Sequence, residues 1–180
     1  MKTKTTMITW MAVLFMFCIS CKKETPVIPD STSPRIQYTI SGGGFTTTFS
    51  SDVAFRGQLD LPPNTRFHIT ASVFDASGIK HLEVQFPTFV SFGTFTGLPS
   101  YTESFSGLSK FYNMNSTTTD PYSSFVLTGD VTTPNVGKNE ALALDFFAYG
   151  FDFSNNTASV RIPILISHNP VYGYGWHLEF

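Results

Sequence analysis

Two cysteines, four histidines and thirteen carboxylates hold most of the potential chemistry in this 180-residue chain. Cys18 and Cys21 form a C-x-x-C within FMFCISCKKETP, residues 15–26. That spacing suggests a redox dithiol or a pair of metal ligands. A redox C-x-x-C needs a βαβ unit after it, however, and this one sits inside a hydrophobic run. His68, His81, His168 and His177 fall on separate segments without ligand spacing, and neither H-E-x-x-H nor G-x-S-x-G occurs. The carboxylates are scattered, with no pair spaced for acid–base work. The run SGGG at 41–44 precedes no helix, so it makes no phosphate cradle. The chain is expected not to be an enzyme, and calcium is the one cofactor for which it offers candidate ligands.

The elements around these groups explain the cysteines first. Lys2 and Lys4 precede the apolar run MITWMAVLFMF at 7–17, which has the layout of an export signal. The run falls short of the about 20 apolar residues that cross a bilayer. The following Cys18-Ile19-Ser20-Cys21 resembles the lipobox of bacterial lipoproteins, with Cys18 where that motif usually has Leu. The resemblance implies cleavage before Cys21, a diacylglyceryl group on its sulfur, and loss of Cys18 with the signal. Residues 1–20 are then the signal, and 21–34 form a spacer. Pro26, Pro29 and Pro34 keep that spacer extended. A charged stretch after the lipidated cysteine is similar to the surface-export signals of Bacteroidota lipoproteins, although those favour acidic residues and this chain has Lys22-Lys23-Glu24. The expected location is the outer membrane, facing the periplasm or the cell surface, with the membrane as a partner through the lipid.

Composition narrows the rest. Charged residues make up 13% and aromatics 16%, against roughly 25% charged in a typical soluble domain. Net charge is −2 with pI near 6.0, which gives no electrostatic case for nucleic acid. No segment after residue 35 shows an apolar period of 3.6, whereas alternation recurs. In RFHITASVF (66–74), Phe67, Ile69, Ala71 and Val73 share one face. In IKHLEVQF (79–86), Leu82, Val84 and Phe86 do the same. Between them DASG (75–78) has the residues of a tight reversal, so the pair reads as a hairpin. A second hairpin joins ALALDFFAYGFD (141–152) to TASVRIPILI (157–166) through FSNN, with Pro163 marking an edge strand or a strand end. Weaker strands are IQYTI (36–40), FTTTF (45–49), part of 53–61, and SSFVLTG (123–129). The stretch 87–121 is read as one or two edge strands plus a loop.

About seven to nine short strands separated by turn signals argue for an all-β, antiparallel sandwich over residues 35–180. The series ITASVFDASGIKHLEVQF, FVLTGDVTTP and LALDFFAYGFDFSNNTASVRIPI resembles the immunoglobulin-like domains of bacterial surface proteins. Those domains have a D-x-S-G-I turn, matched by Asp75, Ser77, Gly78 and Ile79. They also have a final D-x-x-G-N hairpin, matched by Asp152 and Asn155 without the Gly. The resemblance implies an immunoglobulin-like fold and leaves function open.

In such a sandwich the two turns lie at one end, so Asp75 and Asp152 are candidate calcium ligands, with Asn155, Asn156 or backbone carbonyls completing the oxygen shell. The plainer reading is that each Asp caps its own turn. If Leu142, Leu144, Phe146 and Ala148 face inward, then Phe147, Tyr149 and Phe151 face outward, where polar residues belong. The tail VYGYGWHLEF (171–180) supplies Tyr172, Tyr174 and Trp176. These rings either cover that patch as an added strand or join it as a contact surface. The expected function is non-catalytic binding of a protein partner or a glycan through these six aromatics. The alternative is a structural accessory subunit of a larger surface assembly, with a carbohydrate-active enzyme behind both. Mass spectrometry of native protein is expected to find Cys21 at the N-terminus with its acyl group. An intact Met1, or a free thiol at Cys21, would overturn the anchor.

Overall fold

The structure is a computed structural model; it describes residues 30–55 and 57–168, and the backbone alone of 175–178. Cys21 and the signal, Tyr172 and Tyr174 therefore lie outside the described residues, as does the side chain of Trp176. Eleven strands are present among the described residues: β1 (Arg35–Gly42), β2 (Phe45–Ser50), β3 (Gly57–Leu61), β4 (Arg66–Pro87), β5 (Ser91–Leu98), β6 (Tyr101–Ser106), β7 (Ser109–Asn115), β8 (Tyr122–Thr132), β9 (Ala141–Asp152), β10 (Thr157–Ser167) and β11 (Gly175–Leu178). That exceeds the seven to nine expected, because the stretch 87–121 forms three strands rather than one or two.

The 22-residue β4 organises everything else. Its first half, to Phe74, pairs with β1 on one side and β8 on the other. Its second half, from Ile79, pairs with β9 and β7. The expected hairpin at 75–78 is therefore not formed: the two halves never pair with each other. DASG turns a corner instead of reversing the chain. Asp75 Oδ1 accepts from the Ser77 backbone N–H at 2.7 Å and from its hydroxyl, and Gly78 takes φ +104°, a conformation that L side chains rarely adopt. Register shifts flank the corner on both sides, as expected where a strand leaves one sheet for another.

One layer thus runs β2–β1–β4–β8–β5, and the other runs β11–β3–β10–β9–β4–β7–β6. The order β1–β4–β8–β5 is that of strands A, B, E and D in an immunoglobulin domain, and β4–β9–β10 is that of C, F and G. The fold is an immunoglobulin-like sandwich whose B and C strands are fused into one. It is not purely antiparallel, since β3 pairs with β10 in parallel. That pairing spans Ile164–Ile166 and stops short of Pro163, so β10 is internal to its sheet and the proline sits beside the unpaired part.

The alternation seen in the sequence sets the core. Phe67, Ile69, Ala71 and Val73 are buried from the first half of β4, and Leu82, Val84 and Phe86 from the second. The inward parity switches from odd to even across the corner, which keeps both halves facing the same interior. Phe86 is the hub. Its ring lies 5.0–6.5 Å from those of Phe146, Phe95, Phe92, Tyr112 and Tyr38, mostly edge to face, the arrangement ring quadrupoles favour. Phe95 lies over Gly129, where an added Cβ would fall 2.5 Å from the ring; only glycine leaves that space.

Tyr38 is fully buried and its hydroxyl has no hydrogen-bonding partner among the described residues. Burial drives its pKa well above the ordinary tyrosine value. Replacing the hydroxyl removes a desolvated polar group. Tyr38→Phe is expected to keep the urea midpoint or raise stability by up to about 1–3 kcal/mol. A fall in the midpoint would show that the hydroxyl is satisfied after all.

Candidate functional site

Three groups of side chains stand out, one at an end of the sandwich and two on its faces. At the end where β4 turns its corner and β9 meets β10, Asp75 and Asp152 converge, and Asp30 joins them. One carboxylate oxygen from each lies within 4.8 Å of the others. Asp75 and Asp152 are 4% and 0% exposed. Asp152 Oδ1 accepts from the Asn156 backbone N–H at 2.8 Å, and its Oδ2 accepts from the Asn156 amide at 2.7 Å. The same amide donates to the Asp30 carbonyl at 2.8 Å. Each Asp therefore does cap its own turn, and the capped turns also bring the carboxylates together.

Asn155 does something else. It is exposed, holds φ 64°, and its backbone N–H closes the turn onto the Asp152 carbonyl at 3.3 Å. Asn156, not Asn155, is the amide in contact with the cluster. Asp30 belongs to what reads in the sequence as spacer, yet Asn156 ties it to the domain and Pro34 is buried. No local pattern marks Asp30 for this role; D-S-T reads only as a turn, and Thr32 N–H does bond Asp30 Oδ1 at 2.9 Å. That bond, with the Ser77 hydroxyl, holds the Asp30 carboxyl below its usual pKa.

Among the described residues no Lys, Arg or His forms an ion pair with any of the three carboxylates. Carboxylates gathered this closely repel one another, a repulsion that a shared cation would offset. Calcium–oxygen bonds of roughly 2.3–2.6 Å place two ligands of one ion at most about 5 Å apart. The spacing of the three carboxylates fits that limit, and the all-oxygen donor set suits a hard cation.

The second group lies on the outer face of β9. Burial alternates strictly from Leu144 to Asp152, so Phe147, Tyr149 and Phe151 face outward, each half-buried by its neighbours. Tyr149 and Phe151 are 6.0 Å apart between ring centres, His81 lies 5.1 Å from Phe151, and Lys80 Nζ sits 5.4 Å from the Phe151 ring. Beside Phe147 an open groove of about 280 Å³ is lined by Gln85, Asp145, Phe147 and Arg161. The register explains the meeting: Gln85 on β4 and Arg161 on β10 both pair with Phe147. Arg161 Nη2 donates to Asp145 Oδ2 at 2.7 Å. That bond raises the guanidinium pKa further above its usual value. Gln85 Nε2 donates to Ser109 Oγ at 2.7 Å. The described part of the tail, the β11 backbone, pairs with β3, which is separated from β9 by β10.

A third set has the order of a catalytic triad but lies in no cleft. Asp130 Oδ1 lies 3.0 Å from His68 Nδ1, and His68 Nε2 lies 2.9 Å from Thr128 Oγ1, the sequence of groups in a nucleophilic triad. The Thr128 hydroxyl, however, also bonds the Ile69 carbonyl at 3.2 Å and lies 3.0 Å from the Thr70 hydroxyl, so its one proton has competing partners besides the imidazole. Arg66 takes the other Asp130 oxygen at 2.5 Å and, with His68, holds that carboxyl below its usual pKa. The residues are facing partners on β4 and β8, a polar ladder on an open sheet face.

Against known proteins, no family model matches the chain and neither does any curated protein. Two solved structures are similar in fold at low identity. A variant of the major pilin subunit of Bacillus cereus is 12% identical with a TM-score of 0.44; the alignment covers 75% of this chain and 40% of the pilin, so the chain spans less than half of that protein. A non-cellulosomal cohesin from the hyperthermophilic archaeon Archaeoglobus fulgidus is 8% identical with a TM-score of 0.38, covering 64% of this chain and 91% of the cohesin.

Proposed function

We propose that this chain is a non-catalytic binding module of the bacterial cell envelope, tethered through lipid on Cys21. It engages a protein partner or a glycan through the outer face of β9. The observation that supports this reading is the row of Phe147, Tyr149 and Phe151 facing solvent beside a groove with its own polar groups. Rings at such a position offer large contact area with few rotors to freeze. Tyr172, Tyr174 and the Trp176 side chain, expected to share the surface, lie outside the described residues.

The double variant Phe147→Ala/Tyr149→Ala is expected to lose capture of its target in pull-downs from crosslinked intact cells. Both side chains lie on the solvent side of the sheet, so the unfolding midpoint should stay close to that of the parent chain. Undiminished capture by the variant would sink the reading.

The carboxylate end adds a structural role for calcium, supported by three oxygens close enough to share one ion. Bound there, calcium would offset the repulsion among Asp30, Asp75 and Asp152 and hold the end of the spacer against the corner of β4. Added at about 100 times its Kd, it should stabilise the fold by about 2.7 kcal/mol, which is a rise of roughly 5–10 °C in Tm for a domain of this size. Asp30→Ala, the least buried of the three, should abolish that rise and fold normally in chelator. No calcium-dependent shift in the parent chain would remove this part of the proposal.

A further inference from the structure

The groove beside Phe147 has a chemistry narrower than general adhesion. Given the β9 face as the binding surface, a premise taken over from the proposed function, we infer that the groove holds one or two rings of a neutral saccharide. The rest of that saccharide chain continues along β9 over Tyr149 and Phe151.

Three features select that ligand. Charge comes first. Asp145 and Arg161 are paired with each other at 2.7 Å, so the groove has one charge of each sign and no surplus to attract an anion or a cation. Donor and acceptor layout comes second. The Gln85 amide nitrogen is committed to Ser109, leaving its carbonyl oxygen to accept, and one Asp145 oxygen is engaged by Arg161, leaving the other. The guanidinium, with five N–H donors in a fixed plane, has several left over. Two acceptors and several donors, all planar and held in place, ring an apolar surface. Neighbouring hydroxyls of a sugar each donate and accept, and they match such a set. The C–H face of the sugar, slightly positive, lies on the negative face of the Phe147 ring.

Size and direction come third. A volume of about 280 Å³ falls just below the roughly 300–1,000 Å³ range of small-molecule sites, room for a ring or two of a longer chain. Alternate residues along a strand are roughly 6.8 Å apart, so Phe147, Tyr149 and Phe151 make a linear track leading out of the groove. A peptide would more readily add to an open strand edge, where main-chain bonds supply its affinity. This face lies in mid-sheet, with β4 on one side of β9 and β10 on the other, and has no such bonds to give.

The test applies the full chain to an array of neutral and acidic glycans, followed by titration of each hit against Phe147→Ala and Arg161→Ala. Binding of neutral glycans, weakened about tenfold or more in both variants at unchanged Tm, is the expected result. Binding only to acidic glycans, or neutral binding that both variants retain, would overturn the saccharide assignment. So would an empty array. If the array is empty while crosslinked pull-down returns a protein lost in Phe147→Ala, the surface stands and its occupant is a protein. If both are empty, the binding surface itself falls.

Discussion

A single corner in one strand holds the molecule together. Between Phe74 and Ile79 the chain leaves one sheet and enters the other without a loop. The turn depends on two local events: the Asp75 carboxylate bonding Ser77, and Gly78 adopting a positive φ. Because the corner shifts the alternation by one position, both halves of β4 send their apolar side chains to a common interior. With a tight reversal in its place, these two segments would pair with each other. The partners β1, β8, β9 and β7 would then have no shared strand to assemble on.

The same corner links folding to the candidate sites. Asp75 forms the bend and also belongs to the carboxylate cluster, so the group that turns the chain contributes a charge with no ion-pair partner among the described residues. Asp152 stands at the equivalent point of the β9–β10 turn, and both turns reach the same end of the sandwich. On the face, the second half of β4 supplies Gln85 as neighbour to Phe147, and β10 supplies Arg161 on the other side. The groove is thus a product of register across three strands, two of them far apart in sequence.

Aromatic residues serve both sides of this sheet. Phe86, Phe146 and Tyr112 fill the interior with edge-to-face contacts, while Phe147, Tyr149 and Phe151 occupy alternate positions of β9 outside. The low charge content follows from this layout. Polar ladders such as Thr39–Thr48 and Thr70–Thr128 cover much of the exposed sheet. Among the described residues, ion pairs such as Arg66–Asp130 and Arg161–Asp145 are few, and lie mainly between facing strands.

Alternation is legible in the bare order of residues. The buried faces of β4, β9 and β10, the outward set on β9 and the all-β class all follow from a period of two, because the direction of a side chain in a strand is a local property. DASG is legible as turn chemistry, but not as a corner, since the same Asx bond and positive φ serve either outcome. Which strands pair afterwards decides between them. Asp30 carries no signal at all, because its role arises from a hydrogen bond to Asn156 across 126 positions. The meeting of Gln85, Asp145 and Arg161 likewise needs the register. Sequence alone determined which way each side chain points; only the tertiary structure decided which side chains meet, because partners in a sheet are chosen by the packing of the whole core.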